Sequence, residues 1–247
     1  MEIIPVRTRK ILPPKDDIRD IFEHSFPKLL ERDIVVITSK IIAIAQGRCV
    51  PFDEAGEEAQ LIRSEADSIL STMIYQGKPL TLTLKDHVLI PSAGIDRSNG
   101  NNYFILWPQQ PHKEAKELCT FLKRQHQLKQ LAVIITDSRP LPMRKGTLGI
   151  SIGFYGLEPY RSYFGQSDVF GQPLQMTRAN IVDALAAIAV MGMGEGAEQT
   201  PIVILRDPIG VEFTDKETYH KLFMPAEEDI YRPLIDCVQN SRRHAID

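Results

Sequence analysis

DIVVITSKIIAIAQGR, residues 33–48, decides the fold. Its core, Ile34-Val35-Val36-Ile37, is a short β-branched run bounded by Asp33 and Thr38, the pattern of a strand buried on both faces. Ser39 and Lys40 follow at once, either as a plain helix cap or as a cap that also contacts phosphate. Ala132-Val133-Ile134-Ile135 repeats the strand pattern and leads into Asp137-Ser138. Weaker versions lie at 87–90, 148–152 and 202–205.

Helical spacing alternates with these runs. Residues 16–25 carry Ile18, Ile21 and Phe22 on one face and stop before Pro27. Across 57–76, Ala59, Ile62, Ala66, Ile69 and Met73 step by three and four, and Gly77 with Pro79 closes the run, so one long helix is expected. A charged amphipathic helix is expected at 113–130 and reads as a solvated surface element. An Ala-rich helix at 178–190, apolar nearly all round, should be deeply buried, and Asp183 within it is either a satisfied buried carboxylate or a site residue. A last helix is expected at 227–240, before a polar tail at 241–247. No repeat or long linker divides the chain. The mixed order predicts an α/β (mixed α+β) protein, residues 1–247 forming a single catalytic domain with room for two subdomains.

With 247 residues and 43% hydrophobic content, the chain has ample material for a buried core. A net charge of −3 provides no broad basic surface, which argues against nucleic acid or an anionic membrane as partner. Cys49, Cys119 and Cys237 are odd in number and form no C-x-x-C pair, as expected of reduced thiols in a cytoplasmic protein. The start, with Glu2, Arg7, Arg9 and Lys10, has no apolar stretch for a signal peptide. The apolar region 181–193 contains Asp183 and is too short to span a bilayer, so a soluble protein is expected.

Three acidic segments carry the chemistry: AGIDRSN at 93–99, IITDS at 134–138 and MGMGEGAEQ at 191–199. Each places a carboxylate (Asp96, Asp137, Glu195) beside Gly or hydroxyl residues at the edge of an apolar run. Hard oxygen donors of this kind suit Mg²⁺ or Mn²⁺, which in turn hold phosphates. Each segment also has a structural reading. Asp96 to Asn99 and Asp137-Ser138 make good Asx turns, and Gly192, Gly194 and Gly196 make a helix C-cap and loop. The glycines do not form a Rossmann fingerprint, because they follow a helix where a fingerprint follows a strand, and no G-x-x-x-x-G-K-[ST] is present.

Taken together and in order, DIVVITSKIIAIAQGR, AGIDRSN, IITDS, GTLGISIGFYGL (146–157), SYFGQSDVFGQPLQMT (162–177) and NIVDALAAIAVMGMGEG (180–196), followed by Pro201, resemble the γ-glutamyl ligases that attach glutamate to the deazaflavin coenzyme F420 precursor. The resemblance runs from about Glu2 to Arg206. It implies a family-specific mixed α/β fold, an intertwined homodimer, and a GTP-dependent ligase that phosphorylates the acceptor carboxylate before the amine of L-glutamate displaces phosphate. By resemblance, Asp96, Asp137, Ser138 and Glu195 hold two divalent ions, Mg²⁺ or Mn²⁺, and Asp96, Asp137 and Glu195 are catalytic. The nucleotide positions fall at Arg9, Lys10, Ile11, Leu12, Ser39, Lys40, Asn99, Met193, Gly194, Gly196, Ala197, Glu198, Gln199 and Thr200.

Two departures stand out. The family's small residue and lysine beyond the Ser-x pair are Ala43 and Ile44 here, leaving Lys40 as the nearby cation. The family's D-T-x-G-R reads Asp137-Ser138-Arg139-Pro140-Leu141, so a Gly becomes Pro and an Arg becomes Leu, with Arg139 and Arg144 as alternative cations. These changes keep two other readings open: a relative that adds glutamate to a folate, and a non-catalytic nucleotide-binding protein on the same scaffold.

Overall fold

The computed structural model describes residues 1–225, 227–233 and 236. Among them are twelve strands: β1 (Glu2–Val6), β2 (Ile34–Thr38), β3 (Cys49–Pro51), β4 (Ser68–Tyr75), β5 (Lys78–Lys85), β6 (Val88–Pro91), β7 (Tyr103–Ile105), β8 (Ala132–Pro140), β9 (Thr147–Tyr155), β10 (Tyr160–Ser162), β11 (Arg178–Asn180) and β12 (Ile202–Arg206). Five helices accompany them: α1 (Ile18–Ser25), α2 (Ser39–Ala45), α3 (Glu58–Glu65), α4 (Pro111–His126) and α5 (Ile181–Met193). The mixed α/β class expected from the sequence is what forms.

The chain divides into two compact units. The first comprises Met1–Lys10, Asp17–Ile41 and Gln110–Leu222; the second comprises Ile11–Asp16, Ile42–Gln109 and, so far as it is described, Phe223–Asp247.

In the first unit a five-stranded sheet has the order β1-β12-β2-β8-β9. Only β2 and β8 run parallel, Ile34 opposite Ala132 through Thr38 opposite Thr136. Parallel neighbours need a long crossover, and here the chain between them contains α2 to α4. Ile34 to Ile37 are fully buried because both faces of the sheet are covered. On one face Ile34, Val36, Ile134, Val203 and Leu205 pack with Val182, Leu185, Ala186 and Ala189 of α5. Beside β9 the helices come very close. A Cβ at Gly149 would stand 2.6 Å from the Ala186 carbonyl oxygen of α5, and one at Gly153 would stand 2.5 Å from backbone atoms of Pro111 in α4. A bulge at Ile135/Thr136 shifts the β8–β9 register between these two contacts. Asp33, fully buried at the start of β2, is held by Arg206 Nη2 at 2.9 Å from the end of β12.

The second unit holds the sheet β4-β5-β6 and the pair β3-β7. Here the expected helix at 57–76 is corrected. It ends at Glu65, and Ser68–Tyr75 is a strand paired with β5. The three-and-four spacing of Ala66, Ile69 and Met73 was accidental. β-Branched Ile69, Thr72 and Ile74 with Tyr75 favour a strand, and Gln76 and Gly77, both at positive φ (49° and 79°), make the two-residue hairpin turn that returns the chain at Lys78. Ile44, which stands where the family lysine is expected, is buried with Ala43, Ile105, Ile11 and Cys49, so an apolar side chain suits the position.

Two further expectations change. The helix expected from residue 178 begins at Ile181, since Arg178–Asn180 pairs with β10 and Asn180 caps α5 by accepting from the Asp183 amide at 3.1 Å. That helix is buried along one side only, with Ala184 and Met191 exposed on the other. α4 is buried through Ala115, Leu118, Cys119 and Leu122. Cys49 and Cys119 are free thiols; of the helix expected at 227–240, residues 227–231 form turns instead, and 234–235 and 237–240, with Cys237 and the tail 241–247, lie outside the described residues. Among the described residues no helix is long and apolar enough to cross a membrane.

Candidate active site

The buried run of β8 ends in Asp137 and Ser138, which emerge half-buried at its carboxyl end. β9 returns antiparallel, pairing Ser138 with Gly149 and Pro140 with Thr147. Two-residue alternation then puts Ser138 and Thr147 on the face that α5 covers. Because Gly149 has no side chain, α5 can pack against this hairpin, and its C-terminal end is brought beside the two hydroxyls.

Glu195 is the first residue past the α5 cap. Gly194 ends the helix at φ 78°, its amide donating to the Val190 carbonyl at 3.0 Å. Ser138 Oγ donates to Glu195 Oε2 at 3.3 Å and Thr147 Oγ1 donates to Glu195 Oε1 at 3.0 Å, so each carboxylate oxygen takes one hydroxyl. Alternation turns Asp137 away from its neighbour. Its Oδ1 accepts from the Ser138 amide at 2.7 Å, so the Ser138 hydroxyl, not the Asp137 carboxylate, is what reaches Glu195. A carboxylate at a helix C-terminus faces the negative end of the helix dipole, which costs about 0.3–1 kcal/mol unless a cation compensates. Glu198 adds a second negative charge to the same loop.

The glycine loop is closed on itself. Glu198 Oε2 accepts from the Gly196 amide at 2.8 Å, and a Cβ at Gly194 would meet the Glu198 carboxyl carbon at 2.4 Å. The loop therefore already holds an anion, its own carboxylate. Thr200 Oγ1 donates to the Met193 carbonyl at 2.7 Å and the Gln199 carbonyl accepts from Thr8 N at 3.0 Å, which ties the loop to the chain just before Arg9. Exposed Ala197 lies between these anchors.

The other nucleotide candidates divide between the units. In the first, Arg9 pairs with Asp20 through Nη2 at 2.8 Å and donates through Nη1 to the Lys10 carbonyl at 3.0 Å. Buried Ser39 and half-buried Lys40 open α2 directly after β2. In the second, Ile11 packs in an apolar cluster, and the Leu12 amide donates to Asp16 Oδ2 at 2.9 Å. Asp96 and Asn99 also belong there. Asp96 Oδ1 accepts from the Ser98 amide at 2.6 Å, Asp96 bridges to Ile105, and Asn99 sits at φ 53°, so the Asx-turn chemistry read from the sequence is realised.

Asp183 takes its structural reading. It accepts from the Ser151 amide at 3.0 Å and from Asn180 Nδ2 at 2.6 Å. Burial pushes its carboxyl above the usual aspartate range, while those two donors and the Arg139 charge pull it back.

Ser138 and Glu195 are thus brought into direct contact, with Asp137 adjacent. Thr147, which no sequence motif singled out, joins them. Among the described residues no three His, Cys, Asp or Glu side chains cluster as a metal centre. Within the first unit, however, the Ser138 hydroxyl meets the Glu195 carboxylate and the Asp137 carboxylate is on the adjacent residue in the chain, so the candidate donors there are all oxygen. Such a set fits a hard divalent ion and excludes a thiolate or imidazole site.

Fold and site define a mixed α/β protein with an acid–hydroxyl group at the carboxyl end of a sheet strand, beside a glycine-rich loop. The chain belongs to the F420-0:gamma-glutamyl ligase family, whose model matches residues 5–207. It is 30% identical to the coenzyme F420:L-glutamate ligase of Methanosarcina barkeri over 96% of this chain and 97% of the relative. Against the enzyme of that name from Methanosarcina mazei it is 31% identical, covering 87% and 89%. Against that of Haloarcula marismortui it is 30% identical, covering 94% and 96%.

Proposed function

We propose that this protein is a GTP- and divalent-metal-dependent γ-glutamyl ligase that joins L-glutamate to the carboxylate of the coenzyme F420 precursor. Besides family membership, one observation carries the reading: Ser138 and Glu195, 57 positions apart, meet at the end of a buried strand. An exposed carboxylate set against a helix C-terminus is poorly placed for stability alone and well placed to receive a cation.

In the reaction, an oxygen of the acceptor carboxylate attacks the γ-phosphorus of GTP and GDP leaves, giving an acyl phosphate. The α-amine of glutamate then attacks the acyl carbon, phosphate departs with the C–O electron pair, and the amine gives up a proton. Asp137, Ser138 and Glu195 would hold Mg²⁺ or Mn²⁺, which when bound neutralises phosphate charge. Ser138 orients the Glu195 carboxylate, and Asp137 adds the second negative charge. The amides of the 194–200 loop take phosphate oxygens once Glu198 vacates Gly196. Asp96 enters the same chemistry on the family resemblance alone, and Asp96→Asn tests it.

A homodimer belongs to this reading. Val169, Phe170 and Met176 stand nearly fully exposed, and Phe164 largely so, on the segment between β10 and β11, where a tight turn built on Asp168 holds the chain in shape. Such an apolar patch suits burial against a second copy.

One observation favours a folate acceptor as the second reading. Pro140 closes β8 opposite Thr147 and Leu141 follows it, so the strand end offers neither the flexible Gly nor the Arg of the family pattern. A phosphate-bearing acceptor loses an anion contact there, and an acceptor bearing only carboxylates loses less. Competition between the deazaflavin precursor and a reduced folate, with GTP and glutamate, separates the two. Asp137→Asn, nearly isosteric, is expected to abolish ligation with the fold intact; full activity at low metal would show that Asp137 is structural.

A further inference from the structure

Glu195 is an exposed side chain on a loop, and an exposed glutamate samples many rotamers. Here both of its oxygens are occupied, by hydroxyls from two adjacent strands. Ser138 is already a candidate ligand, so its contact explains itself. Thr147 is not. It opens β9 two residues before Gly149, on the α5-covered face, and its hydroxyl meets the oxygen that Ser138 leaves unmet. The bulge at Ile135/Thr136 sets this register; with ordinary pairing throughout the hairpin, the first residues of β9 would face the other side.

We propose that Thr147 is the positioning residue of Glu195, fixing the plane of the carboxylate so that a divalent cation meets a preformed oxygen ligand. The inference rests on the metal reading of Glu195 given above. A hydroxyl in this role has a defined signature. Its loss weakens cation binding without removing a ligand, because the free carboxylate must be ordered when the cation arrives. Partners that orient metal ligands typically contribute about 10–100-fold in affinity. Thr147 itself is exposed, so its replacement leaves the fold alone.

The test titrates the full-length protein with Mn²⁺ alone, following free Mn²⁺ by electron paramagnetic resonance, and repeats the titration as Mn²⁺ activation of ligation. Four variants are compared with wild type: Thr147→Val, Thr147→Ser, Thr147→Ala and Glu195→Gln. Thermal unfolding of each checks the fold, and Thr147→Ala replaces Thr147→Val should the latter unfold. Thr147→Val is expected to weaken Mn²⁺ about tenfold, at the low end of the range for such partners. It should raise the Mn²⁺ needed for half-maximal activity by the same factor and leave the rate at saturating Mn²⁺ nearly unchanged. Thr147→Ser restores binding, and Glu195→Gln loses it. Thr147→Val binding Mn²⁺ like wild type while Glu195→Gln does not would overturn the role of Thr147 and leave the metal reading standing. Glu195→Gln binding Mn²⁺ like wild type would overturn the metal reading itself, and the role of Thr147 with it.

Discussion

Gly149→Ala tests how the site is assembled. The added methyl carbon would lie 2.6 Å from the Ala186 carbonyl oxygen, 2.6 Å from Val190 Cγ2 and 2.9 Å from the Ala186 carbonyl carbon. Val190 can turn, but backbone cannot. Restoring ordinary contact at 3.4 Å requires α5 and β9 to part by most of an ångström. Overpacking of this kind costs about 1–3 kcal/mol, and a backbone clash belongs at the upper end. At about 2–4 °C per kcal/mol for a chain of this size, the midpoint of thermal unfolding should fall by roughly 6–12 °C. The same displacement carries Glu195 away from Ser138, whose 3.3 Å hydrogen bond has little length to spare. Mn²⁺ activation should therefore weaken along with stability.

Gly153→Ala is the control. Its methyl would strike Pro111 of α4 at 2.5 Å on the opposite side of the hairpin, so stability should fall without disturbing Glu195. Calorimetry and Mn²⁺-dependent ligation of both variants give the answer. Unchanged stability in Gly149→Ala, or equal loss of Mn²⁺ activation in both variants, would refute the reasoning.

Two more outcomes follow from buried charges. Arg206→Ala strands the fully buried Asp33 carboxylate and should cost about 3–5 kcal/mol in denaturant unfolding, against near-neutrality if the pair contributed nothing. Asp183 has a folded-state pKa raised above the ordinary 3.8, first by burial, so the stability it contributes is full below that value and is lost as pH rises through the raised one. The stability of wild type relative to Asp183→Asn should therefore decline from acid toward neutral pH; a constant difference would contradict the assignment.

What the sequence made legible follows from burial. β2, β8 and β12 are covered on both faces, so their composition is continuously apolar and β-branched and announces them. β4 is half-exposed, and its Ile and Met positions imitate helical spacing closely enough to mislead. Three-residue strands such as β3, β7, β10 and β11 are too short to show any period. At the site, Asp137, Ser138 and Glu195 were visible because each stands at the edge of an apolar run. Thr147 was not, since a lone threonine after Gly146 has no local mark. Its meaning depends on a bulge twelve residues upstream in the partner strand's pairing, and on Gly149 admitting α5. The closing of Glu198 onto Gly196 was hidden for a related reason: a glycine-rich loop advertises free amides and does not reveal which anion takes them.

Glutamate ligation driven by GTP through an acyl phosphate is checked with an acceptor labelled with ¹⁸O in its terminal carboxylate. Purified protein is incubated with GTP, Mn²⁺, L-glutamate and the labelled coenzyme F420 precursor, and the products are read by mass spectrometry. The expected products are an acceptor extended by a glutamyl residue in amide linkage, GDP in equal amount, and phosphate carrying one ¹⁸O in each molecule released. An extended acceptor whose phosphate carries no label would contradict the acyl-phosphate route, and GTP left intact with no extended acceptor would contradict the assignment of function.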